Sequence, residues 1–291
     1  MPKVLSTSVN ADGGPHFEIL AEAGFEVEAV DRSVDLFDEA TLIGQMQGVS
    51  AISAGSEPYT AGVIGSLPDL RVISRSGVGF DAVDLAACDE HGVLLIFDEV
   101  MTGFRVAYGG AQQLYGVTPD LTTLGKIIGG GMPVGAYGGK EEIMNYVSPA
   151  GPVYQAGTLS GNPIAMSAGL AMLEYLNDHQ EIYLELDKSG VKLAQGFRSS
   201  MEKMGVNYTI NQIGSMYTLF FTDQPVRDFP SAKTSDLALY GRYFHAMLER
   251  GVYLGPSQFE SMFLSVALED KHIERVIQAN EEALVEVLAT V

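Results

Sequence analysis

The sequence predicts an α/β protein with a mostly parallel sheet covered by helices, followed by a small α+β domain. Three observations lead to this prediction. Short apolar runs alternate with helix-like segments over residues 1–97, which is typical of parallel strands joined by crossover helices. Glycine is dense between Gly103 and Gly161, which indicates a loop-rich stretch that holds a site. Long helical patterns dominate from residue 162 onward.

The first 97 residues are predicted to form alternating strands and helices. The predicted strands are Lys3–Thr7, Phe25–Val30, Ser50–Ala54, Arg71–Ser74 and Val93–Phe97. The predicted helices are His16–Ala23, Asp38–Met46, Thr60–Ser66 and Asp84–Glu90. The run Val93–Phe97 is continuously apolar, which is typical of a strand buried on both faces.

The later part of the chain has longer elements. The predicted helices are Asn162–Leu176, Ile182–Met204, Ala238–Arg250 and Lys271–Thr290. The predicted strands are Met216–Thr222 and Val252–Leu254. We therefore divide the chain into residues 1–97, residues 98–178, which we expect to continue the same sheet, and residues 179–291, a small α+β domain.

Composition restricts the possible partners. The chain has 291 residues, with 37 Asp and Glu against 17 Lys and Arg, so its net charge of −20 argues against nucleic acid or an anionic membrane as a partner. One cysteine and five scattered histidines predict neither a disulfide framework nor a metal site. Residues 1–97 carry four basic and fifteen acidic residues, a net of −11, and are the more acidic part. Without a membrane-length apolar run or a signal-peptide pattern, we expect a cytoplasmic protein.

Asp98 and Lys126 are the strongest chemical candidates. Asp98 ends an apolar strand, where α/β proteins bind ligands. Lys126 lies in an apolar, glycine-lined segment, and burial lowers the pKa of a lysine and makes its amine a nucleophile. Such a pair suits pyridoxal phosphate, since the lysine forms a Schiff base and the aspartate keeps the pyridine nitrogen protonated. From spacing alone, however, a structural interpretation of these residues is favoured over a cofactor site: either a buried ion pair or an exposed loop lysine.

A family resemblance favours the cofactor site over these structural alternatives. The segments 96–105, 116–131, 154–163 and 251–260 resemble the class III aminotransferases and, within them, the glutamate-1-semialdehyde 2,1-aminomutases. The resemblance covers residues 88–291. It implies a remnant of the large domain of the fold type I pyridoxal-phosphate transferases, together with their small C-terminal domain.

The resemblance also implies roles for single residues. Lys126 matches the Schiff-base lysine and proton carrier, Asp98 the partner of the pyridine nitrogen, and Val100 the residue that packs on the ring. Gly157 and Thr158 match a segment that reaches the cofactor phosphate of a neighbouring subunit, which implies a homodimer. The implied substrate is a small amino or keto acid, because the family converts glutamate-1-semialdehyde to 5-aminolevulinate.

Residues 1–97 resemble a different family. The segments 3–7, 24–30 and 70–84 are similar to the flavodoxin-like, substrate-side domain of the D-isomer 2-hydroxyacid dehydrogenases. In that family, the loop that matches Ser76, Gly77, Val78 and Gly79 offers backbone N–H groups to a substrate carboxylate. A tight turn that needs glycine is the favoured interpretation here. The nucleotide-binding domain of those enzymes has no match in the chain, so NAD is not expected.

The two resemblances together predict a chimera, whether recombined or engineered. The aminomutase half that binds the cofactor phosphate and the substrate carboxylate is replaced by residues 1–97. Leu268 stands where a histidine is expected, and Glu260 matches a residue that approaches the active site. We predict an aminomutase-like protein with weakened binding of pyridoxal phosphate and impaired or absent turnover. The alternatives are a folded chimera without catalysis and a lobe that binds 2-hydroxyacids or carboxylates.

Overall fold

The computed structural model describes residues 1–7, 15–31, 33–75 and 82–289. They fall into two compact units, Met1–Tyr175 and Leu176–Val291. The first unit is built on a seven-stranded sheet and the second on a three-stranded sheet. Within the described ranges, no helix is both long and apolar enough to cross a membrane.

The sheet of the first unit has the order β2-β1-β3-β4-β5-β6-β7, and all neighbours are parallel except β6 and β7. Its strands are β1 (Lys3–Ser6), β2 (Glu26–Ala29), β3 (Val49–Ala54), β4 (Val72–Arg75), β5 (Leu94–Glu99), β6 (Leu121–Gly125) and β7 (Gly135–Gly139). The helices are α1 (Pro15–Glu22), α2 (Glu39–Met46), α3 (Ala61–Gly65), α4 (Leu85–His91), α5 (Gly110–Tyr115), α6 (Glu141–Met144) and α7 (Pro163–Asp178). A 3₁₀-helix, Lys126–Gly129, follows β6 directly.

Side-chain caps start three of these helices where the sequence predicts them. Asp38 accepts a hydrogen bond from the backbone N–H of Thr41 at 2.8 Å, and Asp84 accepts one from Ala87 at 3.0 Å. Thr60 caps α3 in the same way. Each side chain satisfies an N–H group that lacks a partner inside the helix, which fixes the point at which the helix begins.

The core of these strands lies on one face of the sheet. Side chains of α2, α3 and α4 pack there against inward residues such as Ile52 and Ile73. The predicted burial of the fifth strand on both faces is wrong, because Leu94 and Ile96 are partly exposed on the opposite face. Asp98 shares that more open face, since alternate residues of a strand point the same way.

One sheet runs through both resemblances, as the fold prediction expects. β4 pairs with β5 in parallel from Val72 opposite Leu94 to Arg75 opposite Phe97. Cys88 is buried beneath this seam, and its burial, with the charges of nearby aspartates, raises the pKa of its thiol to about 11. The α/β prediction is therefore confirmed at the point where the two sequence patterns meet.

The second unit is a small antiparallel α+β domain with the strand order β10-β9-β8. Its elements are α8 (Ile182–Met204), β8 (Thr209–Ile213), β9 (Met216–Phe220), α9 (Phe229–Ala232), α10 (Leu237–Glu249), β10 (Met262–Phe263) and α11 (Asp270–Leu288). The predicted strand Val252–Leu254 is wrong. Leu254 packs into the core without joining a ladder, and β10 supplies the third strand instead.

Candidate active site

Asp98 is held through one of its two carboxylate oxygens. Its Oδ1 accepts hydrogen bonds from the backbone N–H of Val100 at 3.0 Å and from the hydroxyl of Thr123 at 3.2 Å. Thr123 lies directly opposite Asp98 on β6. The Oδ2 atom accepts no hydrogen bond from the residues that the structure describes, and the side chain is partly exposed. The carboxylate is thus oriented by the sheet and offers its second oxygen outward.

Lys126 begins the 3₁₀-helix with a positive φ of 48°. Its expected burial is wrong: the side chain is exposed, because the chain turns out of the sheet directly after β6. Lys126 and Asp98, both described, form no ion pair, so the buried-pair interpretation also fails. Lys126 lies three residues beyond Thr123, the partner of Asp98, and directly after the end of β6.

Val100, Gly125 and Gly135 are small or branched residues close in sequence or in strand pairing to Asp98 and Lys126. A Cβ atom added to Gly125 would lie 3.1 Å from Cγ1 of Val100, so the two residues are in close contact. Gly125 pairs with Gly135 of β7, where an added Cβ would meet no atom within 4 Å. Val100, Gly125 and Gly135 therefore form a surface, here called the shelf, on the face of the sheet that carries Asp98. Val100 covers the buried Gly125, and Gly135 is the exposed part.

The 3₁₀-helix that carries Lys126 is pressed against α7. A Cβ added to Gly130, whose φ is 56°, would lie 2.3 Å from the carbonyl oxygen of Ala168. A Cβ added to Gly169 would lie equally close, 2.3 Å, to the carbonyl oxygen of Ile128. The two backbones can meet only because both positions are glycine. The location of Lys126 is consequently set by α7.

Glu99 is a buried residue of the site region, and the sequence motifs assign no role to it. It is 1% exposed. Its Oε2 accepts hydrogen bonds from the backbone N–H of Ala111 at 3.0 Å and from the hydroxyl of Thr102, and its Oε1 accepts one from the N–H of Gln112 at 2.9 Å. A Cβ on Gly110 would come within 2.6 Å of this carboxylate. The glycine pair before a helical segment is the one signal in the sequence that points to this approach.

The other predicted residues of the resemblance lie elsewhere. Gly157 and Thr158 occupy an exposed turn before α7, in which the N–H of Ser160 donates to the carbonyl of Gly157 at 2.9 Å. Glu260 is exposed in the second unit, and its charge adds to burial in raising the pKa of Tyr240 to about 12.

Two further predictions concern Leu268 and the segment of residues 76–79. Leu268, found where a histidine is expected, packs against the core of the second unit. Ser76, Gly77, Val78 and Gly79 lie outside the described residues.

An open apolar depression of about 920 Å³ adjoins the shelf, because Gly135 of the shelf and Ile128 of the 3₁₀-helix both line it. It is lined by residues such as Phe104, Leu124, Val134, Met166 and Leu170, and Asp98 and Lys126 do not line it. Ser160 and Gly161, which follow the exposed turn, form part of its wall. Among the described residues, no three His, Cys, Asp or Glu side chains gather as a metal site would require.

Sequence comparisons match two families. The class-III aminotransferase model matches residues 78–284, and the catalytic-domain model of the D-isomer specific 2-hydroxyacid dehydrogenases matches residues 5–97. The glutamate-1-semialdehyde 2,1-aminomutase of Chlorobium limicola is 60% identical over 198 residues, which is 68% of this chain and 46% of the relative. That of Persephonella marina is 59% identical over 199 residues, with the same coverage. The chain thus spans about half the length of these relatives.

Solved structures extend the likeness to the whole chain. An omega-transaminase from Sphaerobacter thermophilus aligns with a TM-score of 0.75 and 27% identity, covering 99% of this chain and 69% of that one. A glutamate-1-semialdehyde aminomutase from Pseudomonas aeruginosa, in complex with PMP, aligns with a TM-score of 0.70 at 20% identity over 98% of this chain and 66% of its own, which shows the fold. The described strands of residues 1–97 are therefore part of the sheet that aligns with these structures. The class-III aminotransferase model matches residues 78–284, which is more than half of this chain, and the chain therefore belongs to the class-III aminotransferase family.

Proposed function

We propose that this chain is a pyridoxal-phosphate-dependent, aminomutase-like protein that acts on a small amino or keto acid by transferring an amino group. By likeness to its relatives, the substrate is glutamate-1-semialdehyde and the product 5-aminolevulinate. The observation that supports this most directly is the placement of Asp98 and Lys126. One offers a carboxylate oxygen and the other an exposed amine, with the shelf beside them.

The described residues fit the ring end of pyridoxal phosphate. The shelf has room for a flat aromatic ring at Gly135, which is exposed and where an added Cβ would meet no atom within 4 Å. Oδ2 of Asp98 is an acceptor suited to a protonated pyridine nitrogen. For the phosphate, the candidates are Gly157 and Thr158, whose exposed turn would serve a neighbouring subunit.

Each residue then has a chemical task. When bound, pyridoxal phosphate supplies an electron sink beside the substrate amine. Asp98 would hold a proton on the ring nitrogen through Oδ2, while Oδ1 stays fixed by Val100 and Thr123. Nζ of Lys126 would hold the cofactor and would carry a proton between neighbouring substrate carbons. Val100 would contact the ring and help to exclude water from it.

We further propose that binding is weakened and turnover low. Residues 5–97 match another family, and the likeness to the curated aminomutases covers 46% of their length. Catalysis depends on preorganised groups around the whole substrate, so loss of part of that shell lowers the rate steeply. A homodimer in the cytoplasm belongs to the same proposal, with the apolar depression beside Ser160 as the candidate contact surface.

Labelling with pyridoxal phosphate tests the proposal. The protein is mixed with the cofactor, its visible absorption is recorded, and the complex is reduced with borohydride and mapped by mass spectrometry. We expect a visible band and a label at Lys126, both lost in Lys126→Ala. Lys140→Ala is the matched control, because that exposed lysine is paired with Asp120 at 2.5 Å. Identical spectra for wild type and Lys126→Ala would contradict the proposal.

A second candidate function is favoured by the match of residues 5–97 to a dehydrogenase domain. In that case residues 1–97 would bind a carboxylate, or the chain would fold without catalysing any reaction. Titration with NADH and a 2-keto acid separates these cases from the first. Oxidation of NADH would contradict the expectation that NAD plays no part, whereas a band at Lys126 without consumption of glutamate-1-semialdehyde would indicate a binding site that lacks turnover.

A further inference from the structure

A closed turn follows β5, and through it the contacts of Glu99 affect those of Asp98. The carbonyl oxygen of Glu99 accepts a hydrogen bond from the N–H of Gly103 at 2.8 Å, and its side chain accepts one from the hydroxyl of Thr102. Val100 lies inside this turn, and its N–H donates to Oδ1 of Asp98 at 3.0 Å. Any loosening of the turn therefore removes a donor from Asp98.

The side chain of Glu99 anchors that turn to α5. Its Oε1 accepts from the backbone N–H and the side-chain amide of Gln112, at 2.9 and 3.4 Å, and its Oε2 accepts from Ala111 and Thr102. Each oxygen thus faces two donors in a site from which water is nearly excluded. A glutamine at this position would place its NH₂ group opposite hydrogen-bond donors in either orientation of its amide. Buried donors would then lack an acceptor, which is costly in free energy.

We propose that Glu99 is a positioning residue: by holding the turn between β5 and α5, it fixes the orientation in which Asp98 receives the cofactor ring. The proposal deepens the proposed function and rests on it for the identity of the ring. Glu99 itself does not touch the ring, because it points to the face of β5 opposite Asp98.

Glu57 provides a matched control in the same unit. It is also buried, at 3% exposure, but its three donors, Thr7, Gly55 and Tyr59, all meet Oε1. A glutamine at this position can keep all three hydrogen bonds through its carbonyl oxygen. Glu57→Gln therefore removes a buried carboxylate without breaking its contacts, whereas Glu99→Gln breaks them.

The first measurement needs no cofactor. Amide hydrogen exchange of Val100 is compared with that of Leu95, whose N–H donates to Asp120 at 2.7 Å farther back on the same strand. In Glu99→Gln, Val100 should exchange about tenfold faster relative to Leu95, while Glu57→Gln leaves the ratio unchanged. A general loss of stability would speed both amides. An unchanged ratio in Glu99→Gln would overturn the proposal.

The second measurement is the apparent dissociation constant for pyridoxal phosphate. It should rise about tenfold in Glu99→Gln, as is typical when a group that orients a ligand-binding side chain is lost, and stay constant in Glu57→Gln. Equal affinity in wild type and Glu99→Gln would overturn the role of Glu99 and leave the proposed function standing. If wild type shows no label at Lys126, the proposed function fails, and the exchange ratio still decides whether Glu99 orients Asp98.

Discussion

Asp98 and Glu99 are neighbours in the sequence with opposite surroundings. Successive side chains of a strand point to opposite faces, so Asp98 reaches the partly exposed face and Glu99 the buried one. Asp98 could be selected from the sequence because an acid at the end of an apolar strand is a chemical signal. The role proposed for Glu99 could not be predicted from the sequence, because it depends on contact with α5, which is twelve residues away along the chain.

The buried pair of Tyr243 and Asn280 gives a prediction at the residue scale. The hydroxyl of Tyr243 donates to Oδ1 of Asn280 at 2.6 Å, and both residues are 0% exposed. Tyr243→Phe should cost about 1–3 kcal/mol in the free energy of unfolding, because it leaves a buried oxygen without a donor. Adding Asn280→Leu removes that oxygen and should recover part of the loss, as measured by urea unfolding followed by circular dichroism. Strictly additive losses would contradict this explanation.

At the scale of elements, sequence patterns do not identify β6, β7, β8 and β10, and β7 shows the reason. β7 reads Gly-Ala-Tyr-Gly-Gly, which shows no alternation of apolar and polar residues. Its conformation comes from antiparallel pairing with β6, from Gly135 opposite Gly125 to Gly139 opposite Leu121. Strand formation depends on cross-strand neighbours more than on local preference, so only the assembled sheet reveals such a strand.

Two helical glycines in the first unit give opposite predictions. Gly169→Ala should destabilise the protein by about 1–3 kcal/mol and reduce labelling of Lys126, because the new methyl group would lie 2.3 Å from the carbonyl of Ile128 and push on the 3₁₀-helix. Gly44→Ala in α2 should instead stabilise by about 0.5–1 kcal/mol, since nothing lies within 4 Å. Chemical denaturation measures both. A Gly169→Ala variant as stable as Gly44→Ala would show that α7 does not constrain the 3₁₀-helix.

At the scale of the whole molecule, the division of charge and the division of structure differ. The first 97 residues are the more acidic and match the dehydrogenase domain, yet their strands join β5 to β7 in one sheet. The compact units divide at Tyr175 instead. A parallel seam such as β4–β5 needs only matching strand spacing and buried apolar residues, which both sequence patterns provide.

The net charge of −20 predicts a dependence of stability on salt. Raising NaCl from about 0.01 M to about 0.15 M shortens the Debye length from about 30 Å to about 8 Å and screens the repulsion among acidic groups. The thermal midpoint should therefore rise. KCl at the same concentrations should act alike, because the effect is screening and not binding of a particular ion. A constant or falling midpoint in both salts would contradict the prediction.

The sequence by itself determined the α/β class and the order of the elements in residues 1–97, and it singled out Asp98 and Lys126 as the candidate chemical pair. Period, capping residues and motifs are local properties, so they can be read along the chain. The tertiary structure alone decided that Lys126 is exposed, that Asp98 offers one oxygen, and that Glu99 closes the turn behind it. These features arise from contacts between elements distant in sequence, and no local pattern contains them.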